Sequence, residues 1–299
     1  MEYRKFGETD RVVSAIGMGC VTFGREIDEP TAFSVMDRAF ERGITLFDTA
    51  AVYGEGASER IVGRWIADRG RRDDVFLATK LFPPFGRESV VRDAERSLDR
   101  LGVERVDLLQ LHVWDENTPI DETLEALDTL VREGRVRYLG CSNFTPLQLC
   151  RSLRWQERAG AARFQSVQPI YNLVHRQIEE EMLAYCADEQ IGVITYSPLG
   201  AGFLTGKYTP GGPLPQGTRF DIKPGHQDVY FSERGFAIVA GLRKKAEELG
   251  RSMIQLALSW AMHRPGLTSV LIGARNSAQV DQAFDAWELD MDFGWADEL

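Results

Sequence analysis

The chain has 299 residues, 43% of them hydrophobic and 27% charged, the composition of a globular protein with room for a large core. Its net charge of −10 argues against nucleic acid or an anionic membrane as the main partner, while leaving room for a local basic pocket. No apolar run approaches the ~18 residues needed to span a bilayer, the opening residues carry no signal-peptide core, and no CxxC spacing suggests a metal or disulfide framework. Cys20, Cys141, Cys150 and Cys186 read as free thiols, so a reducing cytoplasm is the expected location.

In chain order, Tyr3–Phe6 and Arg11–Ser14 flank a Gly7-Glu8-Thr9-Asp10 turn and predict a hairpin. A first strand follows over Ser14–Cys20, then a helix from Pro30 to about Arg42, closed by Gly43. A second strand leads to Asp48, a helix spans Ser58–Arg69, a third strand leads to Lys80, and a helix covers Glu88–Leu101. The fourth strand leads to His112. Thr118-Pro119-Ile120-Asp121 predicts a capping box for a helix stopping at Gly134. The fifth strand ends at Cys141, and Thr145-Pro146-Leu147-Gln148 predicts a second capping box. The sixth strand, Arg163–Val167, ends at Gln168. A helix near Gln177–Glu189 precedes the seventh strand, Gly192–Tyr196. Residues 208–235 then break the rhythm with five Gly and Pro in the first six positions of Pro210–Pro215, and read as a lid or a disordered loop. Helices over Ser232–Leu249 and Ser252–Met262, an eighth strand at Ser269–Ile272, and a helix at Ser277–Ala286 complete the chain.

The polar stops Asp48, Lys80, His112 and Asn143 lie 32, 32 and 31 positions apart. That period, with a helix in each interval, is the rhythm of repeated βα units. Eight of them predict a single (β/α)₈ barrel domain over 1–299, with an N-terminal hairpin and a lid-like loop after strand seven. The C-terminal ends of such strands face one mouth, so these residues are expected to meet there.

Asp48, Tyr53, Lys80 and His112 form a set with a definite chemistry. A phenol is a weak acid at neutral pH, and an ammonium beside it favours the phenolate. A carboxylate keeps that ammonium charged. The phenol can then protonate an oxygen gaining negative charge, while a neutral imidazole donates a second hydrogen bond. The set suits carbonyl reduction and needs a hydride cofactor. Rival nucleotide motifs fail: Gly200–Gly206 misses GxGxxG at Thr205, and Gly206-Lys207 misses the P-loop at Ala201 and Tyr208. His175, His226 and His263 read as structural or surface residues.

Gly43–Gly54, Ala78-Thr79-Lys80, Asp107–His112, Gly140–Phe144 and Tyr196–Gly200 each sit at a strand end, in this order along the chain. With them the chain resembles an aldo-keto reductase over its whole length. The resemblance implies Asp48, Tyr53, Lys80 and His112 as the catalytic tetrad, with Tyr53 as general acid, and NADPH/NADP⁺ as cofactor across the barrel mouth. It implies Tyr196 stacked on the nicotinamide, and Ser142, Asn143 and Gln168 on its carboxamide, with Gly19 and Thr22 beside them. Ser197, Pro198, Leu199, Gly200, Gly202, Leu204 and Lys207 would follow the pyrophosphate. Gly273, Ala274, Arg275, Gln279 and Gln282 would lie at the adenosine 2′-phosphate end. Arg275 at a helix N-terminus is in itself a good phosphate site, and Arg219 with Lys207 could add positive charge. Where many relatives carry an acidic residue and an asparagine against adenine, this chain has Gln282 and Ala283.

Phe23, Phe82 and Trp114 follow strand ends and could line an apolar substrate pocket, with core packing an equally good reading. The expected partner is a small carbonyl compound, with sugar and natural-product carbonyls as candidates, and neither a metal, a nucleic acid nor a membrane. Two other readings compete. One is a cofactor-binding regulatory subunit of the channel beta-subunit type, against which the intact tetrad weighs. The other is a metal-dependent sugar isomerase, for which the mouth lacks a carboxylate and histidine cluster. Substrate identity, reaction direction and oligomeric state are not written in the sequence.

Overall fold

The computed structural model describes residues 1–299, with the side chain of His226 outside the description. The chain opens with an antiparallel hairpin of β1 (Tyr3–Lys5) and β2 (Val12–Ser14). Strands and helices then alternate: β3 (Ile16–Gly19), α1 (Glu29–Glu41), β4 (Leu46–Asp48), α2 (Ala57–Arg69), β5 (Phe76–Leu81), α3 (Arg87–Leu101), β6 (Val106–Leu111), α4 (Ile120–Arg132) and β7 (Val136–Ser142). They continue with α5 (Pro146–Ala159), β8 (Phe164–Gln168), α6 (Met182–Asp188), β9 (Gly192–Thr195), α7 (Arg219–Ile222), α8 (Glu233–Leu249), α9 (Met253–His263), β10 (Ser269–Gly273) and α10 (Ser277–Trp287). Strands β3 to β10 form one closed parallel barrel, sealed where β10 pairs with β3. Among the described residues, no helix is long and apolar enough to cross a membrane.

Two apolar cores hold this shape. The larger lies between the strands and the surrounding helices. The smaller fills the barrel itself, where Leu46, Phe76, Ala78, Leu108, Ile194 and Leu271 meet Phe6 and Val13 of the hairpin. The hairpin therefore plugs the barrel floor, and the opposite end is left open for chemistry.

Local sequence explains most element ends. Asp28 caps α1 by accepting from the Thr31 N–H, and Pro30 occupies its first turn. The capping box at Thr145 and Gln148 forms as expected. The one expected at Thr118 does not: Pro119 takes the N-cap position of α4, and the Thr118 hydroxyl instead donates to Asp115 at 2.7 Å. The single helix expected over Gln177–Glu189 divides into a 3₁₀ turn, Gln177–Glu179, and the short α6. Glu179 accepts there from its neighbours Tyr171 and Arg176 and from the distant Arg264, a contact that periodicity does not register.

The segment after β9 is neither extended nor loose. Phe203, Tyr208, Phe220, Tyr230, Phe231 and Phe236 pack ring on ring, with centroids from 4.9 to 6.5 Å apart. Aromatic burial orders the segment despite its glycines and prolines.

Candidate active site

Three consecutive barrel strands deliver the reactive side chains. Asp48 ends β4, Lys80 is the penultimate residue of β5, and His112 directly follows β6. Tyr53 comes from the turn between β4 and α2. Asp48 and Lys80 are 2% and 1% exposed, so their charges survive only by pairing. Lys80 Nζ forms an ion pair with Asp48 Oδ1, donates to the Thr49 carbonyl at 3.0 Å, and stands 3.5 Å from the Tyr53 hydroxyl. Asp48 Oδ2 accepts from Gln168 at 2.9 Å and from Gln110 at 3.1 Å. The Tyr53 and His112 rings meet edge to face, with centroids 5.7 Å apart. His112 Nδ1 is buried with no partner.

Burial decides the acidity of these groups as much as charge does. It pushes Lys80 down, but Asp48 and Tyr53 outweigh it and the ammonium is held above its usual range. Burial and the Lys80 charge together drop His112 to about 3, so its imidazole is neutral at physiological pH. Tyr53 was expected to be lowered by Lys80. Lys80 does pull it down, yet burial pushes harder and the phenol ends above its ordinary value. The hydroxyl thus keeps its proton until an acceptor draws it.

A cavity of about 580 Å³ opens above this cluster and runs toward the N-terminus of α10. At the cluster end its wall carries Asp48, Tyr53, His112, Ser142, Asn143, Gln168 and Tyr196. Tyr196 donates to Asn143 Oδ1 at 2.8 Å, and Asn143 donates to the His112 carbonyl at 3.0 Å. Ser142 donates to the Gln168 carbonyl at 2.7 Å. Asn143, Ser197 and Ala201 line the wall with φ of 57°, 58° and 54°, a left-handed backbone that costs energy in non-glycine residues and gathers at functional sites.

The far end of the cavity is cationic. Lys207 and Arg275 both face it, and neither has a carboxylate partner among the described ion pairs. Burial and the nearby Arg275 charge lower the Lys207 ammonium, a conflict that an anion would relieve. Gly202, at φ +91°, keeps a side chain out of the way: a Cβ there would stand 3.0 Å from Lys207 Nζ. Gln279 accepts from the Arg275 N–H at 2.8 Å and steadies this end. Polar amides at one end and two uncompensated cations at the other fit an extended dinucleotide with a terminal phosphate.

Most expected cofactor residues reach this wall: Gly19, Thr22, Ser197, Pro198, Leu199, Gly273 and Gln282 join those above. Gly200, Leu204 and Ala274 do not. All three are buried, and Leu204 and Ala274 pack in the core between strands and helices. Arg219 lines the cavity, but its charge is already matched by Glu26 at 2.9 Å, a residue that also holds Arg25. Of the expected substrate residues, Phe23 is completely buried. Phe82 is exposed with its ring edge-on to His112 at 5.8 Å, and Trp114 packs against Phe144. The sequence reading missed Glu26 and Tyr230, which line the cavity, and Gln110, which grips Asp48. Gln110 did leave a signal, as a lone amide near the end of an apolar strand.

A family model for the Aldo/keto reductase family matches residues 15–293. The chain is 36% identical to Aldo-keto reductase YhdN of Bacillus subtilis (strain 168), over 94% of this chain and 87% of that protein. It is 34% identical to Uncharacterized oxidoreductase YrpG of the same organism, over 98% of this chain and 93% of that one. A Probable voltage-gated potassium channel subunit beta of Arabidopsis thaliana is 32% identical over 96% and 91% of the two chains.

Proposed function

The chain belongs to the aldo/keto reductase family, which supports an oxidoreductase using a nicotinamide cofactor on small carbonyl compounds, and from that premise we propose that it reduces an aldehyde or ketone with NADPH. The observation that carries this reading is the Tyr53 hydroxyl, 3.5 Å from a buried lysine that Asp48 keeps charged, on the wall of a cavity whose far end holds two cations without a carboxylate partner among the described ion pairs.

NADPH, when bound, supplies the hydride for the carbonyl carbon. Ser142, Asn143, Gln168 and Tyr196 would hold its nicotinamide end, and Lys207 and Arg275 its phosphates. The carbonyl oxygen would accept hydrogen bonds from Tyr53 and from neutral His112. As negative charge grows on that oxygen, the Tyr53 O–H bond breaks and its proton passes to the oxygen. Lys80 stabilises the phenolate left behind, and Asp48 holds Lys80 in place. His112 cannot compete as the acid, because burial and Lys80 keep it unprotonated. Arg275 would favour NADPH over NADH by pairing with the extra phosphate.

The channel-subunit relative keeps a second reading open, a cofactor-binding regulatory protein. Steady-state NADPH oxidation against a panel of aldehydes and ketones separates the two. Turnover that disappears in Tyr53→Phe supports the reductase. Tight NADPH binding with no turnover on any carbonyl would move the weight to regulation.

A further inference from the structure

Barrel interiors are ordinarily filled by layers of branched apolar side chains contributed by alternate strands. One layer here is polar. Asp48, Gln110 and Gln168 come from β4, β6 and β8, the second, fourth and sixth barrel strands, and converge on each other. Gln110 is completely buried and does not reach the cavity wall, so it touches neither substrate nor cofactor. Both polar atoms of its side chain are nonetheless bonded. Nε2 donates to Asp48 Oδ2 at 3.1 Å, and Oε1 accepts from Gln168 Nε2 at 3.4 Å. Room for it comes from the neighbouring strand: a Cβ on Gly140 would stand 3.2 Å from Gln110 Cγ and 2.5 Å from Ser166 Oγ.

We infer that Gln110 is a positioning residue of the proton-donating site, acting on Tyr53 through Asp48 and Lys80, an inference that rests on the reductase reading above. Lys80 occupies Asp48 Oδ1, while Gln110 and Gln168 occupy Oδ2. The two amides spread the carboxylate charge. More of the Lys80 field then falls on Tyr53, and less repulsion reaches the phenolate. Gln110 also sets the orientation of Gln168. With Gln168 Nε2 directed at both Asp48 and Gln110, the acceptor Oε1 is the free end of that amide. A leucine in place of Gln110 would fill the layer equally well but leave Oδ2 with one donor.

The titratable groups facing this cluster are Asp48, Lys80, Tyr53, His112, Cys20 and Tyr196. His112 is neutral above about 3, burial holds the Cys20 thiol well above its usual value, and burial pushes Tyr196 up to about 12. Lys80 and Tyr53 are the groups that the Gln110–Asp48 contact reaches, so the alkaline limb of the rate profile is the readout expected to move.

Two variants test this, each assayed for kcat, KM and pH profile beside the wild type. Gln110→Met keeps the volume and removes the donor. Its kcat should fall about 10-fold with KM little changed, and its alkaline limb should move to higher pH. Gln110→Glu is isosteric. Protonated, it still donates to Asp48; ionised, it sets two carboxylates against each other. Its activity should approach the wild type at low pH and fall away as pH rises. If Gln110→Met does not fold, Gln110→Glu decides alone. An active wild type with unchanged profiles in these variants, or variants that lose kcat equally at all pH, would overturn the Gln110 inference and leave the reductase reading standing. A wild type that turns over no carbonyl would overturn both.

Discussion

The barrel buries a carboxylate against cations at both of its ends, and the two clusters differ in one respect. Near the floor, Asp107 is 2% exposed and accepts from Arg72 at 2.8 Å, from Arg137 at 3.1 Å and from the Leu77 N–H at 3.0 Å. Three donors hold it, and it does not line the mouth cavity. At the mouth, Asp48 is equally buried and equally well bonded, but its lysine also lies 3.5 Å from the hydroxyl of Tyr53, which lines a cavity together with His112. The floor cluster is complete, so it can only hold the strands together. The mouth cluster opens onto that cavity, where its phenol and imidazole can meet a bound molecule. Burial of charge alone does not mark a reactive site; perturbed groups gathered at a cleft are the better candidates.

That contrast breaks if the wrong end proves sensitive. Tyr53→Phe should reduce kcat by about 10²–10⁴-fold with folding intact, the usual contribution of a positioned acid. A fully active Tyr53→Phe enzyme would remove the mouth cluster from the chemistry. Asp107→Ala should do the reverse: it strands Arg72 and Arg137, costs about 3–5 kcal/mol in a denaturant titration, and leaves kcat per folded molecule unchanged. Along the cavity, Arg275→Ala should weaken NADPH binding about 10-fold or more, read by tryptophan fluorescence, and hardly alter NADH. Equal losses for both cofactors would place the extra phosphate elsewhere.

The smallest effect is on pH. His112 titrates near 6.5 when unfolded but only near about 3 when folded, so the unfolded chain binds the extra proton between those values. Its contribution to stability is therefore complete above about 6.5 and is lost as pH falls toward about 3. For catalysis, the imidazole stays neutral, and the rate should show no acid limb between pH 8 and about 5. An inflection at the ordinary histidine value would mean that the ring is solvated rather than buried.

Much of this architecture is legible in the order of residues. The stops at Asp48, Lys80 and His112 mark three barrel strands in succession, and the intervening helices α2 and α3 end at Gly70 and Gly102. The insert after β9 was harder, because its prolines and glycines speak for looseness while its aromatic side chains, scattered over 34 positions from Phe203 to Phe236, form a core only once folded. Phe23 shows an ambiguity that the sequence left open. A strand-end aromatic can point into a pocket or into the core with the same local sequence, and here it is completely buried.

By itself, the sequence determined the barrel, its direction and the residues at its mouth. The reason is geometric: repeated βα units pack in parallel, and parallel strands present their C-terminal ends on one side. Only the tertiary structure decided how those residues behave. It showed that Arg219 is already matched by Glu26, that two glutamines share Asp48, and that Tyr53 is pushed up by burial rather than down by Lys80. Acidity and charge pairing depend on distances and on exclusion of water, and neither exists along a chain until distant strands are brought side by side.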